Sequence, residues 1–162
     1  MAARIIVIGI GHGLRGDDAA GVQAVRLWQE SHPETASRKD LHVELLELPG
    51  LNLLDHLKGV PAAVLVDAVR SQEPPGTVRL FTLHELLSFP PATLSAHGWG
   101  VAEALRLGRS IDPLLERCKL VLIGLTGKNF ETGGDLSPEV RHSLPRTVEL
   151  LQQNVIRLLE DT

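Results

Sequence analysis

The 162-residue sequence predicts an α/β fold, a three-layer sandwich around a mostly parallel, mixed sheet of five strands. Three observations carry this. Residues 4–10 are β-branched and apolar on both faces, as in a strand covered by helices on both sides. Further apolar runs of strand length alternate with amphipathic stretches of helical spacing. Finally, 43% hydrophobic and 22% charged residues describe a chain that buries a core, not a disordered one.

The elements follow in order. After the first strand, a glycine-rich turn over 11–16 leads into a helix from about Asp18 to Glu30, with Val22, Val25 and Leu27 near helical spacing. His32 to Asp40 reads as a polar connector. Residues 41–48 alternate well enough for a second strand, Pro49-Gly50 breaks it, and Leu51–Leu57 reads as a short helix. Ala62–Asp67 is the third strand, ending on an acid. Ser71–Gly76 is a turn, and Thr77–Leu83 a fourth strand, antiparallel to the third because the connection is too short for a helical crossover. An irregular stretch through Pro90-Pro91 leads to His97, followed by a helix from Trp99 to about Leu107. Lys119–Leu125 is the fifth strand, and a loop with three glycines runs from 126 to 135. Ser137 caps a last helix with Pro138 at its first position; Pro145 interrupts or restarts it, and Val148, Leu151, Val155 and Leu158 form its apolar stripe. With no repeat and no long linker, residues 1–162 read as one domain.

Composition narrows the function classes. A net charge of −4 without a basic stripe argues against nucleic acid, and 3% aromatics with no tyrosine leave little to stack bases on. No apolar run approaches the ~20 residues of a membrane span. The N-terminal apolar stretch is short and broken by glycines, so it reads as a buried strand and not as a leader. One cysteine, Cys118, forms no internal disulfide and reads as inert core. Together these features predict a cytoplasmic protein.

In sheets of this class, ligands bind beyond the carboxyl ends of the strands. Asp17 and Asp18 follow the first strand, Asp67 ends the third, and His97 follows the fourth. Two carboxylates and an imidazole converging on one rim suit a divalent metal of borderline hardness. Each also has a plainer reading: a helix N-cap for Asp17 or Asp18, a turn former for Asp67, a structural histidine for His97. A Ser95/His97/Asp67 triad lacks a nucleophile elbow. Gly9-Ile10-Gly11, with Glu47 near the end of the next strand, imitates a dinucleotide fingerprint. Its third glycine is replaced by Leu14, however, and Asp17 and Asp18 put negative charge where a pyrophosphate would bind. The remaining histidines (His32, His42, His56, His84, His142) read as surface residues.

Residues 8–21, Ile-Gly-Ile-Gly-His-Gly-Leu-Arg-Gly-Asp-Asp-Ala-Ala-Gly, resemble the opening motif of the nickel–iron hydrogenase maturation proteases. Val66-Asp67-Ala68 resembles that family's second acidic motif, Ser95-Ala96-His97 its histidine motif, and Leu136–Val140 with the following helix its tail. The resemblance runs nearly end to end. It implies an α/β/α sandwich and an endopeptidase that removes a C-terminal extension from the hydrogenase large-subunit precursor once nickel is inserted. It also implies that Asp18, Asp67 and His97 are the metal-contacting and catalytic residues, with nickel presented by the substrate. Asp18 is our candidate for general base. Two positions depart from the family: His12 stands where asparagine is usual, and Glu47-Leu48-Pro49-Gly50 lacks the Asp-Gly-Gly-like run. The rival readings are a non-catalytic binding module or chaperone on the same fold, and a dinucleotide-binding oxidoreductase.

Overall fold

Strands β1 (Ile5–Ile10), β2 (Leu41–Leu46), β3 (Ala62–Val69), β4 (Val78–Thr82) and β5 (Lys119–Thr126) form one sheet in the order β2-β1-β3-β5-β4 in the computed structural model, which describes residues 2–47, 49–90 and 100–162. Four strands are parallel, and β4 runs antiparallel along the outer edge of β5. The apolar character of β1 on both faces has a direct cause. Ile5 and Val7 enter one core, Ile6, Ile8 and Ile10 the other, and β3 divides its residues the same way.

The helices are α1 (Ala20–Ser31), α2 (Pro33–Ala36), α3 (Asn52–Leu57), α4 (Leu83–Ser88), α5 (Val101–Ile111) and α6 (Pro138–Asp161). Helices α1 and α6 bury their apolar faces on one side of the sheet through Ala24, Trp28, Val148 and Leu151. On the other side α3, α4 and α5 contribute Leu53, Leu86 and Leu105. This is the three-layer sandwich expected.

Several elements differ in detail. In α1 Trp28 is fully buried, whereas Leu27 is exposed, because the 3.6-residue period from Val22 and Val25 lands on 28–29. The polar connector contains the single turn α2, with Pro33 at its start. Strand β3 continues past Asp67 to Val69, held in register by β5 as far as Thr126. Strand β4 does run antiparallel to β3, but it pairs with β5, since β3 already lies between β1 and β5. The stretch before Pro90 contains α4, opened by a reciprocal cap: the Glu85 N–H donates to Thr82 Oγ1 (3.2 Å) and the Thr82 N–H to Glu85 Oε2 (2.7 Å). That signal, Thr-x-x-Glu, is present in the sequence. Pro145 lies inside one unbroken helix. Buried Val140 and Leu144 before it and Val148 and Leu151 after it hold the axis against the sheet, each contributing about 1.5–3 kcal/mol against a proline cost of about 3 kcal/mol.

Helix α1 approaches the sheet closely at Gly21, where a Cβ would collide with the backbone carbonyls of Ile10 and Val66. The start of the helix is thereby seated against the ends of β1 and β3. Chain direction also reverses there: β1 leads to β2 over one face through α1, and β2 leads to β3 over the other through α3. In open α/β sheets, such a switch point is where ligands bind.

Candidate active site

The loop after β1 is closed by its own backbone. The Arg15 N–H donates to the His12 carbonyl (3.1 Å), and Gly16–Ala19 form a 3₁₀ turn that runs into α1. Asp17 and Asp18 lie on this turn, and both are buried. The two carboxylates serve different ends.

Asp17 is a clasp. Its Oδ2 accepts the N–H groups of Lys128 (2.7 Å) and Asn129 (3.0 Å) and the Ser137 hydroxyl (2.9 Å), while Oδ1 accepts the Ser137 N–H (2.7 Å). Burial by itself raises this carboxyl's pKa. The donors from Asn129, Lys128 and Ser137 outweigh it, and the net position is below the ordinary value. Asp17 therefore ties the loop after β5 to the start of α1 instead of capping α1. Ser137 likewise spends its hydroxyl on Asp17, not on capping α6.

Asp18 Oδ2 accepts the His12 N–H at 3.1 Å. Its neighbour across the switch point is Asp67, half-buried in β3 opposite Gly124 of β5. Loss of solvent raises the Asp67 carboxyl well above its ordinary value, and the Asp18 carboxylate raises it further. The fold thus brings together these two of the three expected site residues. The third, His97, lies within residues 91–99, outside the described residues, as does Ser95. Among the described residues no three acids, histidines or cysteines are grouped to hold a metal. Asp67 faces the side of the sheet covered by α4 and α5, lining a small cavity of about 10 Å³ with Leu86, Val101 and Ala102.

The remaining candidates have simpler surroundings. His12 is half-buried, and its Nδ1 accepts the Leu14 N–H (3.2 Å). His42 pairs with Glu44 (2.6 Å) on edge strand β2, and His84 and His142 are exposed. Cys118 is buried, its thiol pushed up to about 11 by burial, which makes it a poor nucleophile.

The family model for hydrogenase maturation protease, HycI, matches residues 34–154. The chain belongs to the hydrogenase maturation protease family. Protein FrxA of Pyrococcus furiosus is 31% identical over 137 residues, covering 84% of this chain and 93% of FrxA. The hydrogenase expression/formation protein HupD of Bradyrhizobium diazoefficiens is 32% identical over 154 residues, 93% of this chain and 77% of HupD. Among solved structures, the NiFe hydrogenase maturation protease HybD from Thermococcus kodakarensis superposes with a TM-score of 0.74 at 28% identity, covering 94% of this chain and 99% of that one. This hydrogenase maturation protease therefore has the family's α/β fold and is an endopeptidase of hydrogenase maturation. No helix among its described residues is long and apolar enough to cross a membrane.

Proposed function

We propose that this chain removes the C-terminal extension of a nickel-loaded NiFe hydrogenase large-subunit precursor in the cytoplasm, using Asp18, Asp67 and His97. The observation that carries the reading is the meeting of Asp18 and Asp67 at the switch point of the sheet. Two carboxylates so placed repel each other, which adds to the larger effect of burial in raising the Asp67 pKa, and a cation shared between them relieves that repulsion. A nickel ion held in the substrate is such a cation. His97 stands four residues before Val101, which lines the cavity beside Asp67, and this supports its place as the third contact.

The substrate brings the ion, and the protein's part is positioning. Asp18 is oriented by the His12 N–H, and in this reading its carboxylate meets the substrate's ion and the attacking water. As general base Asp18 takes the proton of that water while the peptide bond is held beside it. A precursor without nickel gives the two acids nothing to share, so its peptide bond is not held in place and cleavage waits for metal loading.

The test is the mass of the large subunit after incubation with the purified protein, with and without nickel. Wild type is expected to remove a C-terminal peptide only from the nickel-loaded precursor. Asp67→Asn and His97→Ala are expected to lower the rate at least about 100-fold with unchanged circular dichroism, since first contacts to an ion matter at least as much as the groups that orient them. Normal cleavage by either variant refutes the residue assignment. Nickel-independent binding without cleavage favours the chaperone reading.

A further inference from the structure

Next to the loop that carries Asp17 and Asp18 the fold opens a polar cavity of about 700 Å³, lined among others by Arg15, Arg70, Lys128, Phe130 and Glu131. Neither Asp18 nor Asp67 lines it, but its walls come from chain next to both. Arg15 precedes Asp18 by three residues, and Arg70 follows Asp67 by three, about 10 Å along the strand direction. Lys128 and Asn129 are the residues whose N–H groups hold Asp17.

Among the described residues three cations and one acid line this space, and their charges are not equally committed. Lys128 Nζ is spent on Glu139 Oε1 at 2.8 Å. The Arg70 guanidinium lies 5.1 Å from the centre of the Phe130 ring and makes no ion pair or hydrogen bond to any described residue. Glu131, the acid among the described lining residues, pairs with neither Arg70 nor Lys128. An arginine stacked on an aromatic face is held in orientation while its N–H edges stay available, and that fork fits a carboxylate bidentately.

The cavity wall is built before any ligand arrives. Besides the Asp17 clasp, the Asp17 N–H donates to the Asn129 carbonyl (2.7 Å), the Gly133 N–H to Leu14 (2.7 Å), and the Gly127 N–H to Val69 (3.0 Å). The last of these fixes the Phe130 loop against the end of β3, next to Arg70.

We propose that this cavity is a subsite for a carboxylate of the substrate's C-terminal extension, either an acidic side chain or the terminal carboxylate, with Arg70 as its main ligand and Arg15 adding positive charge. This rests on the endopeptidase reading above: an extension leaving the Asp18–Asp67 pair toward the β3–β4 turn passes over Arg70.

Two measurements test it on the full-length protein. One is kcat and KM on the nickel-loaded precursor for wild type, Arg70→Gln and Arg70→Lys. The other is fluorescence anisotropy with synthetic extension peptides, bearing a free C-terminus, a C-terminal amide, or amides in place of the acidic side chains. Arg70→Gln is expected to raise KM about tenfold, with kcat within twofold, and Arg70→Lys to fall between. Removing the responsible carboxylate weakens wild-type peptide binding by a similar factor and leaves Arg70→Gln binding unchanged. Whichever amide arm shows this identifies the source. The wild-type preference also shrinks at high salt. If wild type processes the precursor while KM and peptide affinity ignore both arginine substitutions and every amide, the subsite is refuted and the endopeptidase reading stands. If wild type processes nothing, the endopeptidase reading fails, and the peptide arms alone decide: affinity that depends on Arg70 and a carboxylate supports the subsite, and affinity indifferent to both refutes it.

Discussion

Asp17 and Asp18 are neighbours in sequence and equally buried, yet one faces a ring of donors and the other faces a second acid. Four hydrogen bonds converge on Asp17, three of them from backbone N–H groups that have no other partner nearby if it is lost. In Asp17→Asn the new amide turns a donor toward those donors. We expect a loss of about 2–3 kcal/mol, seen as a melting temperature lowered by about 5–10 °C. The lowered pKa of Asp17 gives this a pH signature. Between its folded and ordinary values the native state binds fewer protons than the unfolded chain, so the stabilisation is present above the ordinary value and is lost as pH falls through the folded one. Acid titration of wild type should show this loss, and Asp17→Asn should flatten it; parallel curves would place the stabilisation elsewhere.

At the scale of elements, the contact of α1 with the carboxyl ends of β1 and β3 positions the site. Gly21 makes that contact possible, since the carbonyls of Ile10 and Val66 belong to paired strands and cannot withdraw from a side chain. Gly21→Ala is expected to cost about 3 kcal/mol and to push the start of α1, with Asp18, away from Asp67. A displacement near 1 Å is enough for about a 100-fold loss of processing. Gly13→Ala is the matched control, because a Cβ at Gly13 meets nothing within 4 Å, and its melting temperature should equal wild type. Equal melting temperatures for the two variants would contradict the close-approach argument. The same scale shows how much of the fold was legible. Both faces of β1, the five strands and the stripe of α6 follow from apolar periodicity. The pairing of β4 with β5, and the continuity of α6 through Pro145, depend on which edges and faces the rest of the sheet leaves open.

For the whole molecule, Cys118 is a reporter. It is the single thiol, 6% exposed at the start of β5, with its pKa pushed up to about 11 by burial. At pH 8 about one thiol in a thousand is ionised in the folded protein, against about one in ten at an ordinary value of 9.0. Iodoacetamide should therefore label native protein at least about 100-fold more slowly than protein in denaturant, and the native rate should follow global unfolding. Fast native labelling would show that β5 opens locally. The sign with pH is opposite to that of Asp17. The folded state keeps a proton that the unfolded chain releases, so this stabilisation is present below about 9 and declines as pH rises toward 11.

The sequence by itself determined the layers of the fold, the strand ends at which polar residues collect, and the motif that carries Asp18. Apolar periodicity and glycine spacing are local properties, and local properties can be read along a chain. It could not show Asp17 as a clasp, because the partners of Asp17 lie more than 110 residues away, on a loop and helix that meet it only when α6 packs on the sheet. The Arg70–Phe130 stack and the cavity it lines were hidden for the same reason: nothing in either local segment refers to the other. Tertiary structure decided which charges are spent on holding the fold and which remain for a substrate, since that depends on through-space distances that only the folded sheet sets.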